Sequence, residues 1–120
     1  MATFRYTVGP WNVHEGNETF GPGNRKSIPF EDAIRRVKEL GFDAAETYKW
    51  QGLDYDAVRA ACEETGVQLL SMCTSEFRMT DPAFRTLWLE GLKESCEAAK
   101  KLSVDTVFML SAQEEAEDEV

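Results

Sequence analysis

Three passages of the chain repeat one pattern of polar and apolar positions: Glu39-Leu-Gly-Phe-Asp-Ala-Ala-Glu, Glu64-Thr-Gly-Val-Gln-Leu-Leu-Ser and Lys101-Leu-Ser-Val-Asp-Thr-Val-Phe. In each, a helical pattern stops at a glycine or serine and a short apolar run begins at the next residue, as in a helix C-cap feeding a buried strand. The segments leading into the repeats have helical spacing. Phe30, Ala33, Ile34, Val37 and Leu40 fall on one face, with Pro29, Glu31 and Asp32 suited to the first turn. Asp54 can cap a second, shorter helix whose apolar face includes Val58, Ala61 and Cys62. Asp81-Pro82 is a good N-cap and N1 pair for a third, which carries Phe84, Leu87, Trp88, Leu92, Cys96, Ala99 and Leu102.

Four strands are predicted around these helices, over residues 4–8, 43–48, 67–73 and 104–110. The last two are nearly continuous in apolar residues, the mark of strands covered on both faces. The order β-α-β-α-β-α-β implies an α/β fold with parallel pairing and right-handed crossovers. Its shape is either a doubly wound sheet or one half of an eight-stranded barrel.

In both architectures ligands bind beyond the carboxyl ends of the strands. The first loop there, residues 9–25, is long and without periodicity, and it holds the only histidine of the chain. Trp11, Val13 and Phe20 argue against simple disorder in it. The other carboxyl-end loops begin at Lys49, Thr74 and Ser111. His14, Glu15, Glu46 and Glu76 are expected to converge on this rim, with Trp11 and Trp50 as possible walls, an arrangement suited to a small polyhydroxylated ligand. Each has a plainer reading. His14 and Glu76 can be ordinary loop residues, and Trp11 and Phe20 can simply pin the loop. Glu46 is harder to dismiss, because a carboxylate within an otherwise apolar strand needs a partner or a function.

The length of 120 residues and 42% hydrophobic content suit one globular domain. No apolar run reaches the roughly 20 residues that span a bilayer, and the first residues lack the order of a signal peptide, so no membrane partner and a cytoplasmic location are expected. Cys62, Cys73 and Cys96 have no metal-type spacing and are expected to be buried, reduced thiols. The net charge of −9 includes five acids within the last seven residues, which leaves −4 for the body; neither value suits a protein that neutralises nucleic-acid phosphates. Residues 113–120 read as an acidic tail or the truncated start of a helix. Glycine-rich phosphate loops, Gly-x-Ser-x-Gly elbows and His-Glu-x-x-His motifs are lacking in the sequence.

Tyr6-Thr-Val-Gly-Pro-Trp-Asn-Val, Phe20-Gly21, Arg25 and the helix closing in Glu39-Leu-Gly resemble the N-terminal part of xylose isomerase and the wider xylose-isomerase-like sugar isomerase/epimerase TIM barrels. The stretch from Pro29 to Leu110 is similar in cadence to the hydroxypyruvate-isomerase-like branch, including Glu46 and Met109-Leu-Ser. The resemblance implies the N-terminal half of a TIM (β/α)8 barrel, making residues 1–120 a single partial domain. It also implies a metal-dependent sugar or keto-acid isomerase or epimerase acting by proton transfer next to a carbonyl, with Mn or Mg as cofactor of the full-length protein. Trp11 matches a tryptophan that lines the sugar pocket in xylose isomerases. Phe20 matches the first-loop phenylalanine that reaches toward a neighbouring subunit's site in xylose isomerases. A half-barrel leaves its outer strands unpaired, so a homo-oligomer is expected. Tyr48-Lys49 stands where xylose isomerases carry a His-Asp pair, a departure from their ring-opening machinery. The family's metal ligands come from later strands, so no metal-binding residue is assigned in this chain, which alone is expected to be inactive. The reading frame is thus either truncated or a stand-alone half-barrel that pairs to cover its edges. The site expected from residues and resemblance together comprises His14 and Glu46 as catalytic candidates and Trp11, Tyr48 and Glu76 as substrate-binding candidates. The alternatives are a non-catalytic half-barrel binding or assembly module and, by fold analogy alone and against the acidic charge, a nuclease of the same barrel superfamily.

Overall fold

A computed structural model of the chain describes residues 5–9, 28–47, 50–74 and 82–109. The elements run β1 (Thr7–Val8), α1 (Phe30–Glu39), β2 (Ala44–Thr47), α2 (Tyr55–Thr65), β3 (Gln68–Cys73), a 3-10 turn (Pro82–Phe84), α3 (Arg85–Leu102) and β4 (Thr106–Phe108). The strands are shorter than predicted. The first loop and the acidic end lie outside the described residues.

The repeated helix-to-strand passages owe their shape to one backbone device. Gly41, Gly66 and Ser103 follow the three helices at φ 85°, 73° and 56°, the left-handed region that turns a chain out of a helix. After α1 the amide of Phe42 donates to the Val37 carbonyl at 3.1 Å, and after α3 Val104 donates to Ala99 at 2.9 Å. Both bonds satisfy carbonyls that the helix leaves open. At the start of α2, the Asp54 carboxylate accepts from the amides of Asp56 at 3.1 Å and Ala57 at 3.0 Å, the predicted cap.

The sheet is parallel, with strand order β1-β2-β3-β4. This order separates the two shapes left open by the sequence. A doubly wound sheet reverses its order at a switch point, whereas crossovers of one hand in strictly sequential order lay every helix on the same face, as in a barrel. The core agrees. Phe30, Ile34 and Val37 of α1, Val58 and Ala61 of α2, and Ala98, Ala99 and Leu102 of α3 form one buried cluster with Ala45, Leu69 and Met72 of the sheet. Each large apolar side chain buried there contributes about 1.5 to 3 kcal/mol. The expected covering of β3 on both faces is seen in part among the described residues: Cys73 is buried although it lies outside the helix-side cluster, while Leu70 is exposed.

Helix α3 differs from its predicted form. Its first α-helical residue is Arg85, after the 3-10 turn opened by Pro82, and Asp81 lies outside the described residues. The buried face is Gly91, Ser95, Ala98, Ala99 and Leu102, while Phe84, Leu87 and Cys96 are exposed. Small residues along this stripe permit close packing, and the Ser95 hydroxyl is satisfied within the helix by donating to the Gly91 carbonyl at 2.6 Å. Cys96 is thus not the buried thiol expected, whereas Cys73 is buried and Cys62 half-buried. No described helix is long and apolar enough to cross a membrane.

Candidate active site

Strand alternation fixes which side chains leave the helix-covered face. Val8, Ala45, Leu69, Met72 and Val107 pack in or against the helix-side core. Register pairs Thr7 with Ala44, Glu46 with Ser71, and Ser71 with Thr106, placing these residues on the opposite, helix-free face. Glu46 lies one residue from the end of β2, between the fully buried Ala45 and Thr47, and is itself half-buried. It is therefore at the carboxyl edge where barrels of this topology bind their ligands.

A β-bulge sets Glu46 beside Ser71. Ala45 pairs with Leu69, but Glu46 pairs with Ser71, so Leu70 is the extra residue of β3. The bulge lets Leu69 and Met72 both join the helix-side core and brings a hydroxyl rather than a leucine next to the carboxylate. Thr106, the first residue of β4, completes the row. Ser71 and Thr106 had no local signal marking them; only strand register reveals their position beside Glu46.

Two contacts brace the rim. The Trp50 indole Nε1 donates to the Cys73 carbonyl at 2.9 Å, and the Thr74 amide donates to the Phe108 carbonyl at 2.9 Å. Trp50 is 6% exposed and belongs to the core, so it is a brace between the β2–α2 connection and the end of β3, not the pocket wall the sequence suggested. Gly52, at φ 78°, makes the turn that follows it possible. The Thr47 hydroxyl at the end of β2 is buried and has no hydrogen-bond partner among the described residues.

His14, Trp11, Tyr48 and Glu76 lie outside the described residues, so Glu46 is the predicted site residue whose placement is described. Among the described residues no three His, Cys, Asp or Glu side chains gather as a metal site would require. The described residues do not by themselves supply a ligand set for the divalent ion implied by the resemblance. Burial, with Glu63 adjacent, pushes the Cys62 thiol pKa up, which keeps this sulfur in its unreactive form.

A sequential parallel sheet with helices on one face and a polar row at the carboxyl edge of the other defines part of a βα barrel. Residues 34–119 match the family model for the xylose isomerase-like TIM barrel, and the chain belongs to that family. Among solved structures, it is similar to the AP endonuclease, family 2, from Brucella melitensis (TM-score 0.62, 16% identity, 70% of this chain and 36% of that one). It is also similar to the 3-keto-D-glucoside 4-epimerase from E. coli in its apo form (TM-score 0.53, 23% identity, 78% of this chain and 35% of that one). The chain thus spans about a third of the length of these structures, and at such identities the likeness is one of fold. No curated protein sequence matches it significantly.

Proposed function

We propose that the protein is a sugar or keto-acid isomerase or epimerase, and that the helix-free face of β1–β4 supplies one wall of its substrate site. The observation that carries this reading is the position of Glu46, half-buried on that face one residue from the carboxyl end of β2. A carboxylate there can accept a hydrogen bond from a substrate hydroxyl or move a proton next to a carbonyl. Removing that proton gives an enediolate; returning it to the neighbouring carbon while the hydroxyl proton passes from one oxygen to the other isomerises the substrate, and returning it to the opposite face of the same carbon epimerises it. His14, Trp11, Tyr48 and Glu76 are proposed to complete the same pocket, with a divalent ion held by residues other than those described. Similarity to a sugar epimerase supports this reading, and membership of the xylose isomerase-like family supports the choice of substrate class. The net charge of −9 over these 120 residues argues against a phosphate-binding surface on this part of the protein.

Proton transfer leaves a signature independent of substrate identity. The full-length protein that carries this sequence, incubated in D2O with a panel of ketoses and hydroxy-keto acids, is expected to place deuterium on a carbon next to the carbonyl, read by proton NMR. Neither exchange nor conversion across the panel would overturn the proposal.

A further inference from the structure

Glu46, Ser71 and Thr106 stand side by side on three successive strands, one residue from the end of β2 and two from the ends of β3 and β4. Adjacent strands are about 4.8 Å apart, so the row presents a carboxylate and two hydroxyls at regular intervals. None of the three side chains is hydrogen-bonded to another described residue. The interior layers of a βα barrel are ordinarily filled with bulky branched apolar residues that pack against one another. This layer departs from that pattern at three consecutive strands. A carboxylate and two hydroxyls are costly in a dry interior, where polar groups must find partners.

We infer that Ser71 and Thr106 extend the Glu46 site into a polar row that binds successive hydroxyl groups of a ketose or hydroxy-keto acid, making them specificity-determining residues. This rests on the isomerase or epimerase reading. The chemistry is complementary: a carboxylate only accepts, whereas serine and threonine hydroxyls both donate and accept, and each hydroxyl of a polyol does the same. The bulge at Leu70 is part of the device, since a regular β3 would set leucine beside Glu46. Polar recognition of this kind discriminates strongly against ligands without the hydroxyl, because the groups of the site are then left unpaired.

The test is calorimetric titration of the full-length protein and its Ser71→Ala, Thr106→Val and Glu46→Gln variants with D-fructose, D-xylulose and hydroxypyruvate, using pyruvate as the ligand without a hydroxyl. Ser71→Ala and Thr106→Val are each expected to weaken binding of at least one hydroxylated ligand about 3- to 10-fold, the loss of one hydrogen bond, and to leave pyruvate unchanged. Wild-type affinities in both variants, with binding lost in Glu46→Gln, would overturn the role of the row and leave the functional reading standing. Unchanged affinity in all three variants would overturn the role of the row and leave the functional reading to the exchange measurement, and no binding of any hydroxylated ligand by the wild type would overturn both. Should a variant fail to fold, the Thr106 methyl resonance of the unsubstituted protein carries the test: it is expected to shift with D-fructose, D-xylulose or hydroxypyruvate and not with pyruvate, and a resonance unmoved by all of them contradicts the inference.

Discussion

The Trp50 indole reaches across to the backbone of Cys73, donating a 2.9 Å hydrogen bond to the carbonyl at the last residue of β3. One side chain thereby holds the connection after β2 against the neighbouring strand, close to the edge on which Glu46 lies. Phenylalanine in its place would keep much of the apolar contact and lose the donor. Trp50→Phe is expected to lower unfolding stability by about 1 to 3 kcal/mol, measured by urea denaturation, since the bond serves a buried carbonyl. An unchanged midpoint would show that the indole bond contributes nothing.

Thr47 poses the opposite case. Its hydroxyl is buried without a partner among the described residues, at a cost in desolvation that valine would not incur. Thr47→Val, nearly identical in shape, is expected to stabilise the protein by about 1 kcal/mol in the same assay. Destabilisation would reveal a partner for that hydroxyl, such as an ordered water at the end of β2.

How far these features were legible in the sequence depends on how local their causes are. The turns at Gly41, Gly66 and Ser103 rest on residues within one helical turn, and all three were readable from the repeated pattern. The buried face of α3 was misread because Gly91, Ser95 and Ala98 carry little hydrophobic signal, yet their small size is what lets the helix pack closely. The large residues Phe84 and Leu87, which the pattern favours for a core, are exposed. Glu46 stood out as a charge in an apolar strand. Its neighbours Ser71 and Thr106 did not, since their placement depends on a bulge and on pairing between strands far apart in the chain. His14, Trp11 and Glu76 rest on position at the predicted rim, and Tyr48 and Trp11 on family resemblance.

The cysteines differ enough to be ranked chemically. Cys96 is exposed, Cys62 is half-buried with its pKa raised by desolvation and by Glu63, and Cys73 is buried. A raised pKa means less thiolate at a given pH, so Cys62 should alkylate slowly near neutrality and accelerate only as the pH rises. Iodoacetamide labelling followed by peptide mass spectrometry is expected to give the order Cys96, Cys62, Cys73. Equal rates for Cys96 and Cys73 would contradict the packing of α3 and β3.

Among the described residues β1 and β4 are the outer strands of the sheet, and strands in that position present unpaired backbone groups. The 120-residue chain expressed alone is expected to associate, seen by sedimentation velocity at micromolar concentration. The polar residues on the helix-free face, Thr7, Glu46, Ser71 and Thr106, make that face less apolar than a barrel interior would be, so the edges rather than the face should drive the association. A stable monomer that unfolds cooperatively would contradict this expectation.

The most direct test of the account is Glu46→Gln in the full-length protein, followed by deuterium exchange next to the carbonyl of a responsive ketose or hydroxy-keto acid. Glutamine keeps the size of the side chain and removes its charge and basicity. With the unfolding midpoint nearly unchanged, the exchange rate is expected to fall by roughly 100-fold or more, the usual contribution of a positioned acid or base. Wild-type exchange in a folded Glu46→Gln protein would contradict the central claim that the helix-free edge of β2 faces the reacting substrate.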